Sequence, residues 1–316
     1  MKEVLVKEYN NLENLRIEPK KDDFLYNIHF IGGAFCEIRG AEDTNFRIEF
    51  IDKKTNEFLH YHDITNNMWT RTNTKYFIDY LIKIKNRDTG EVIHEYEYDA
   101  KGKRVMICFD SKAIGDTLAW FPYVEEFRKK HECEVVISTF HNEWFKENYP
   151  DLEFIEPGDT AYNLYARYDI GWYYNEPDYA EDNTIDFSKT PTDFRKNPLG
   201  KTCSDILGLD FKEIKPKLTF KNTGSTIEGD YVVIAPHGSA HAKYWNREGG
   251  WQDVIDHLNN NGYKVVMITQ EPLGDEWHDS KLGGTLKGVI DKTGDYPLSE
   301  RPNDMMNANQ YHILHI

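Results

Sequence analysis

The residue types best suited to chemistry occur in the stretch Phe109–Pro122, which contains Asp110 and Asp116. The stretch follows the apolar run Val105–Phe109, which predicts a buried parallel strand, and it continues into a helical pattern. It therefore occupies a first strand-to-helix turn, at the carboxyl end of a strand, where ligands bind in open α/β sheets. A carboxylate at this position can bind a ligand or take up a proton.

Three residues are expected to shape this turn. Lys112 lies early in it, Gly115 permits a tight backbone path, and Thr117 can cap the helix that follows. Asp116 would then project from the loop at the start of the helix. The same position also suits a carboxylate that only caps the helix or interacts with its dipole, so both interpretations of Asp116 stay open.

A second turn of this kind follows the apolar run Tyr231–Ala235 and precedes another helical pattern. Its loop contains Gly238 and Ser239 and then two cations, Lys243 and Arg247. Exposed backbone amides, a helix N-terminus and mobile cations can together hold a phosphate group. The alternative is a solvated loop with incidental charges.

Two histidines in this loop, His237 and His241, have the spacing of a metal pair on a helix. They stand in a loop and lack the Glu of the H-E-x-x-H pattern, which argues against a zinc site. The sequence also has no G-x-G, no G-x-x-x-x-G-K-[ST] and no D-x-D. It therefore lacks the dinucleotide fingerprint, the P-loop, and the acidic pair that holds a metal on many sugar nucleotides.

Aromatic residues are concentrated between positions 162 and 179, with the run Trp172-Tyr173-Tyr174 near the centre. Such a cluster can form a stacking platform for a sugar or a base. Aromatic side chains at this density are more often part of a hydrophobic core or its rim. We expect the second role.

The elements that must position these residues begin with antiparallel strands in the first hundred residues. Period-two alternation predicts strands at Phe24–Ile31, Phe46–Ile51, Phe77–Lys85 and Val92–Tyr98. The segment Asn86–Gly90 between the last two is a turn typical of a hairpin. These strands predict a β-rich unit with one face on a core and the other in water.

After residue 105, apolar runs alternate with helical patterns, which predicts βαβ units and a parallel sheet. In the first unit a helix is predicted over Leu118–Lys130, followed by strands at Glu134–Ser138 and Leu152–Ile155. The second unit starts at Tyr231 and supplies about four strands, the last at Ile313–Ile316. Because a doubly wound domain normally has five or six strands, we expect the second unit to be incomplete.

Composition narrows the class of protein. The 316 residues carry a formal net charge of −16, and this acidity argues against nucleic acid as a partner. No segment approaches the roughly 18 apolar residues of a membrane span, and the N-terminus has no apolar signal segment. Four scattered cysteines without a C-x-x-C pair fit reduced thiols. We therefore expect a cytoplasmic protein without a membrane span.

The stretch Phe109–Phe127 and the segment Lys243–Val254 together resemble the bacterial autotransporter heptosyltransferases. The Gly-Asp pair at Gly115 and the Lys-x-Trp pattern at Lys243 are also similar to glycosyltransferase family 9, the lipopolysaccharide heptosyltransferases. The resemblance covers essentially the whole chain, including the β-rich segment before the first βαβ unit.

This resemblance implies an α/β fold of the GT-B type, with two Rossmann-like domains after an N-terminal antiparallel β domain. The expected domains are residues 1–102, which are β-rich, residues 103–225, the acceptor-side Rossmann-like domain, and residues 226–316, the incomplete donor-side one. The two Rossmann-like domains are expected to face each other across a cleft.

The resemblance also implies an inverting transfer of heptose from ADP-heptose to serine hydroxyls on the passenger of an autotransporter adhesin. A serine hydroxyl needs a base to accept its proton, for which Asp116 is the first candidate and Asp110 the second. The departing ADP develops negative charge. Lys243, Arg247 and backbone amides near Gly238 would stabilise that charge without a metal.

In the autotransporter enzymes, an iron-binding cysteine cluster follows the glycine-rich Gly-x-Gly-Ser segment of the second Rossmann unit. This sequence has neither before it ends at Ile316, so the resemblance implies no cofactor here and the loss of part of the donor pocket. We expect a truncated frame or a fragment, whose activity is an open question.

Two other interpretations stay open beside this one. The chain could be a GT-B transferase that uses a different nucleotide sugar, or a non-catalytic module that binds an adhesin through its β domain. The partners expected from the resemblance are ADP-heptose and the adhesin passenger, and homo-oligomerisation is left open.

Overall fold

The structure of this chain is a computed structural model. It describes residues 6–8, 23–41, 43–175, 184–238, 243–245, 247–296 and 300–312. The chain divides into Met1–Leu218, here called unit 1, and Thr219–Ile316, here called unit 2. Each unit has its own hydrophobic core.

Unit 1 contains most of the strands. In chain order its elements are β1 (Val6–Glu8), β2 (Phe24–Ile31), β3 (Phe35–Gly40), β4 (Asn45–Asp52), β5 (Glu57–Thr65), β6 (Met68–Arg71), β7 (Tyr80–Asn86), β8 (Val92–Glu97), β9 (Arg104–Phe109), α1 (Ile114–His131), β10 (Glu134–Ser138), β11 (Glu153–Ile155), β12 (Leu164–Ile170) and α2 (Leu199–Ile206). Short 3₁₀ turns cover Asn142–Trp144 and Phe194–Lys196. Strands β2 and β10 have the bounds that the sequence predicts.

Four of these strands form an antiparallel sheet in the order β5-β4-β7-β8. Alternate residues of its central strands are buried, among them Ile48 on β4 and Ile82 on β7, as a sheet with one covered face requires. The Gly90 N–H donates to the Asn86 carbonyl at 2.8 Å and closes the hairpin between β7 and β8. The predicted antiparallel strands and their turn are confirmed.

The larger sheet of unit 1 has the order β11-β10-β9-β12-β2-β3-β6, with β1 beside β2. The strands from β11 to β2 are parallel, and β3 and β6 are antiparallel to their neighbours. Strand β12 therefore joins the N-terminal strands to the parallel ones. The predicted boundary at residue 102 lies inside this unit, and the one after residue 225 lies near the division at Leu218.

Strand β12 has no counterpart among the predicted strands. Its buried residues include Tyr165, Tyr168 and Ile170, and these alternate in part with the more exposed Arg167 and Asp169. The two tyrosines are core residues, as expected of most members of the aromatic cluster. The polar residues interrupt the continuous apolar run that a buried parallel strand usually shows, so the sequence pattern does not predict this strand.

Helix α1 packs against β10 and α2. Trp120, Phe121, Val124 and Phe127 are fully buried, at the three- and four-residue spacing of a helix face that covers a core. The helix ends before Glu132, which has the left-handed conformation (φ 48°). It begins at Ile114, earlier than the sequence predicts.

Unit 2 is an α/β unit with a parallel sheet. Its elements are β13 (Tyr231–Ile234), α3 (Gly250–Asn260), β14 (Lys264–Met267), α4 (Glu276–Leu282), β15 (Val289–Asp291), α5 (Arg301–Met306) and β16 (Gln310–His312). The sheet order is β15-β14-β13-β16, and all the pairs are parallel. The predicted strand Ile313–Ile316 lies outside the described residues.

Both faces of this sheet are buried. Val232 and Ile234 belong to a core cluster that includes Trp251 of α3, whereas Tyr231 and Val233 belong to a second cluster. Helices on both faces are typical of parallel sheets, so unit 2 has the predicted Rossmann-like character. Across the ranges that the structure describes, none of the helices combines the length and apolarity that crossing a membrane requires.

His131, the last residue of α1, lies among aromatic rings. Its imidazole centroid is 4.4 Å from Phe127, 5.0 Å from Phe77 and 5.7 Å from Tyr98. Its Nε2 is buried without a hydrogen-bond partner among the described residues. Burial lowers the pKa of His131 to about 4.

We expect the free energy of unfolding to decrease between about pH 6.5 and pH 4 because of His131. The unfolded imidazole takes up a proton near its ordinary pKa of 6.5, whereas the folded one stays neutral until about pH 4, so this part of the stability is lost as the pH falls. The loss at pH 4.5 is about 2 kcal/mol. Urea unfolding at pH 7 and pH 4.5 measures it, and His131→Leu should lose about 2 kcal/mol less. Equal losses in both proteins would contradict the assignment.

Candidate active site

Unit 1 places Asp110 and Asp116 at the carboxyl edge of its parallel strands. Asp110 follows β9 directly, and its N–H donates to the Ile170 carbonyl at the end of β12 over 2.9 Å. Asp116 lies in the first turn of α1. Because Phe109 is opposite Ile170 in the sheet, the residues after β12 lie next to the residues after β9.

The Asp116 carboxylate accepts two hydrogen bonds at one oxygen. Ser111 Oγ donates to Oδ2 at 2.6 Å, and Trp172 Nε1 donates to the same Oδ2 at 2.9 Å. Within the described residues, Oδ1 receives no hydrogen bond. The N-cap of α1 is Ala113, which makes no side-chain cap bond. Asp116 is therefore not the cap, although its charge near the helix N-terminus is favourable.

Asp110 is held by a different donor. The Tyr173 hydroxyl donates to its Oδ2 at 2.8 Å. Burial raises the pKa of Asp110, whereas the bond from Tyr173 and the charges of Arg167 and Lys189 oppose that rise. Burial and the Asp110 carboxylate together raise the pKa of Tyr173 well above its usual range. Tyr173 therefore stays protonated and remains a donor.

Consecutive residues after β12 thus bind the two carboxylates, Trp172 to Asp116 and Tyr173 to Asp110. The residue before them is Gly171, where a Cβ would lie 3.1 Å from the Tyr173 ring and 3.2 Å from Asp110 Cβ. A side chain there would crowd this contact. From the sequence, Trp172 and Tyr173 could be predicted only as members of an aromatic cluster. Their roles as hydrogen-bond donors to Asp116 and Asp110 depend on the pairing of β12 with β9.

The three residues expected to shape the turn have different positions. Lys112 is in the loop, and its carbonyl oxygen is 3.0 Å from His141 Nε2. Gly115 and Thr117 lie in α1 instead, and the Thr117 hydroxyl donates to the Ala113 carbonyl at 3.2 Å. The predicted loop and capping roles of these two are therefore wrong, because the helix begins at Ile114.

In unit 2, the loop after β13 contains the residues predicted to bind a phosphate. Lys243 is exposed. Gly238 is buried, so its amide is less available to a ligand. Ser239 lies outside the described residues. The side chains of Lys243 and Arg247 are exposed and therefore more accessible than the buried Gly238.

Arg247 comes shortly before α3. Its Nη2 donates to Asp253 Oδ2 at 2.9 Å, and the two side chains are 63% and 61% exposed. An exposed ion pair of this kind contributes only about 0–1 kcal/mol. The guanidinium can therefore exchange Asp253 for a phosphate at little cost.

His237, in the same loop, stacks on His278 of α4 with ring centroids 4.3 Å apart. Burial, with a smaller effect from His278, lowers the pKa of His237 to about 4. The imidazole is therefore neutral near pH 7. His241, with which a metal pair was considered, lies outside the described residues.

Metal-ligating side chains do not gather in the described part of the chain. No group of three or more His, Cys, Asp or Glu side chains there could hold a metal ion. The four cysteines are free and buried in unit 1, at positions 36, 108, 133 and 203. They lie in or beside separate elements, so these thiols do not fit an iron centre. The absence of a cofactor stays a prediction.

No protein-family model matches the sequence. The chain is 29% identical over 270 residues to the autotransporter heptosyltransferase BAHTCr of Citrobacter rodentium, covering 84% of this chain and 62% of BAHTCr. It has the same identity to TibC of Escherichia coli H10407, covering 84% of this chain and 63% of TibC. It is 27% identical over 197 residues to BimC of Burkholderia thailandensis, an inactive autotransporter heptosyltransferase. This match covers 61% of this chain and 44% of BimC. The chain therefore spans less than two thirds of the length of these relatives.

The crystal structure of TibC, an iron-containing dodecameric glycosyltransferase, has a TM-score of 0.78 and 26% identity to this chain. It covers 94% of this chain and 74% of the TibC chain. The crystal structure of TibC with ADP-D-β-D-heptose has a TM-score of 0.77 and 27% identity, with coverage of 93% and 73%. These similarities confirm the resemblance to the autotransporter heptosyltransferases and the predicted α/β fold of the GT-B type.

We expect Trp172 and Asp116 to be energetically coupled by about 1.5 kcal/mol, because a hydrogen bond to a charged group contributes that much to stability. The measurement is a double-mutant cycle of Trp172→Phe and Asp116→Ala, followed by urea unfolding at pH 7. A control cycle combines Trp172→Phe with Asp63→Ala, which removes a carboxylate paired with Arg47 on the antiparallel sheet. The control coupling should stay below about 0.5 kcal/mol. Equal coupling energies in the two cycles would contradict the assigned hydrogen bond.

Proposed function

We propose, from the similarity of this chain to the autotransporter heptosyltransferases, that it is a glycosyltransferase that modifies a protein. In this proposal a heptose moves from ADP-heptose to serine hydroxyls on the passenger of an autotransporter adhesin, with inversion at the anomeric carbon. The observation that carries the proposal is the likeness to TibC, at 26–27% identity and a TM-score of 0.77–0.78. TibC has been solved with ADP-D-β-D-heptose.

Asp116 is the proposed general base. The serine hydroxyl loses its proton as its oxygen forms the bond to the anomeric carbon, and a positioned carboxylate accepts that proton. Ser111 and Trp172 both donate to Oδ2 of Asp116, which leaves Oδ1 as the acceptor. The same two bonds fix the orientation of the carboxylate, so no reorganisation is needed when the proton moves.

Asp110 is the second candidate for the base. It lies at the same strand edge and has one donor, Tyr173, on Oδ2. Burial raises the pKa of Asp110. A higher pKa makes a carboxylate a stronger base, but only while the carboxylate is ionised. Asp116 instead has two donors, which hold its carboxylate in one orientation, and for this reason we propose it as the first candidate.

On the donor side, Lys243 is proposed to bind the diphosphate of ADP-heptose. Negative charge develops on the leaving ADP as its bond to the sugar breaks, and an ammonium group stabilises that charge. Arg247 is proposed to assist after releasing Asp253. Amides near Gly238 and Ser239 are predicted to contribute as well, but Gly238 is buried, so we assign the larger share to Lys243. The proposed step needs no metal.

The proposed partners are the nucleotide sugar and the adhesin passenger. TibC is dodecameric, and we propose that this chain also self-associates. We place the protein in the cytoplasm, where its four free cysteines would stay reduced.

A second candidate function is binding of an adhesin without catalysis. One observation favours it: BimC, an inactive autotransporter heptosyltransferase, is 27% identical to this chain. Transfer of heptose to a passenger by this chain would exclude it. Passenger binding without any response to a nucleotide sugar would support it.

We expect Asp116→Asn to lower kcat for heptose transfer by about 10²–10⁴-fold, because the amide cannot accept the serine proton. Transfer is measured by mass spectrometry of the passenger incubated with ADP-heptose. The variant should keep the increase in melting temperature that ADP-heptose produces, because the donor does not need the base to bind. Asp110→Asn is the matched control and should retain more activity. Full activity of Asp116→Asn would contradict the base assignment.

We expect Lys243→Met to weaken ADP-heptose binding about tenfold, because a charged hydrogen bond to the diphosphate is lost. Thermal shift titrations with ADP-heptose, UDP-glucose and GDP-mannose measure the affinity and the choice of nucleotide. Lys264→Met is a control, because Lys264 in the same unit bonds to the Glu228 carbonyl. A stronger response to UDP-glucose or GDP-mannose would favour a different GT-B transferase, and equal affinities of Lys243→Met and the parent chain would contradict the role of Lys243.

A further inference from the structure

A pocket of about 160 Å³ opens in unit 1 beside Asp110. Its lining includes three cations, Lys75, Arg167 and Lys189, and two carboxylates, Asp110 and Asp169. The lining therefore has one more cation than carboxylate, in a chain whose net charge is −16. Local positive charge that opposes the overall charge of a protein attracts anionic groups.

The two carboxylates already have donors. Arg167 Nε donates to Asp169 Oδ1 at 2.9 Å, and the Tyr173 hydroxyl donates to Asp110 Oδ2 at 2.8 Å. Arg167 is thereby committed to Asp169. The cations that remain for a ligand are Lys75 and Lys189, and the nearby Asp110 and Asp186 offset part of their charge.

The two lysines are brought together by the backbone. The Lys75 N–H donates to the carbonyl of Ser188 at 2.7 Å, so the chain before Lys189 runs beside Lys75. Lys189 Nζ lies 3.4 Å from Asp186 Oδ2, a long ion pair, and Lys75 forms no ion pair within the described residues. Two ammonium groups that share one pocket repel each other. An anion bound between them would relieve that repulsion.

We propose that this pocket binds a carboxylate side chain of the acceptor polypeptide, close to the serine that receives the sugar. The inference rests on the proposed function. Tyr173 contacts the pocket, and the preceding residue, Trp172, contacts Asp116. A carboxylate held by Lys75 and Lys189 would therefore fix the register of the polypeptide relative to the proposed base.

The size of the pocket suits a short acidic side chain. Its volume is about 160 Å³, and an aspartate or glutamate of the acceptor would bring one negative charge to the two ammonium groups.

The test uses the full chain and pairs of labelled serine peptides without any nucleotide sugar. In each pair, one peptide has an aspartate at a given position near the serine and the other has asparagine there. Fluorescence anisotropy at low salt measures both affinities. For at least one position we expect the aspartate peptide to bind about fivefold more tightly. Sodium acetate serves as the free carboxylate.

The preference should disappear in the double variant Lys75→Met, Lys189→Met. It should persist in Lys146→Met, a control that removes a lysine with a comparably long ion pair, 3.5 Å to Glu156, outside the pocket. The proposal is wrong if no position shows a preference, if the double variant keeps it, or if acetate displaces the peptide at equal concentration. If the chain prefers the aspartate peptide but does not transfer heptose, only the proposed function is contradicted. If it transfers heptose but does not prefer the aspartate peptide, only this inference is contradicted.

Discussion

The pairing of β12 with both β9 and β2 is the constraint on which the candidate site depends. Because β12 and β9 are parallel and end together, Phe109 opposite Ile170, the residues that follow the two strands meet at one edge of the sheet. Trp172 and Tyr173 reach the carboxylates of Asp116 and Asp110 only from that position. The same strand connects the N-terminal strands to the parallel sheet through its pairing with β2, so the sheet of unit 1 and the geometry of the site depend on one strand.

Much of the fold could be predicted from the sequence, because apolar residues recur in most elements with the spacing typical of a strand or a helix. The alternation in Phe24–Ile31 and the apolar run in Val105–Phe109 correspond to observed strands. Strand β12 was missed because Arg167 and Asp169 interrupt its apolar residues. The sequence pattern predicts the start of α1 too late because Gly115 is a poor helix former, whereas Asp116 is favourable in the first turn.

The candidate site could be predicted only in part, because residue types are visible in a sequence and long-range contacts are not. Asp110 and Asp116 were identified from their position after a strand. Their donors are far away in the chain, as Trp172 is 56 residues from Asp116. The donor-side cations could likewise be named from their type. The burial of Gly238 depends on how the loop folds, which the sequence pattern does not specify.

The two sides of the proposed reaction are built differently, and the range of each interaction explains why. Proton transfer requires contact within about 2.6–3.2 Å, so a base must be held rigidly. Asp116 is held in this way by two hydrogen bonds from its own unit. Stabilisation of a diphosphate depends on charge, whose effect decreases only gradually with distance. Exposed cations would therefore serve on the proposed donor side, as we propose for Lys243 and Arg247, and a surface ion pair such as Arg247–Asp253 can open at a cost of only about 0–1 kcal/mol.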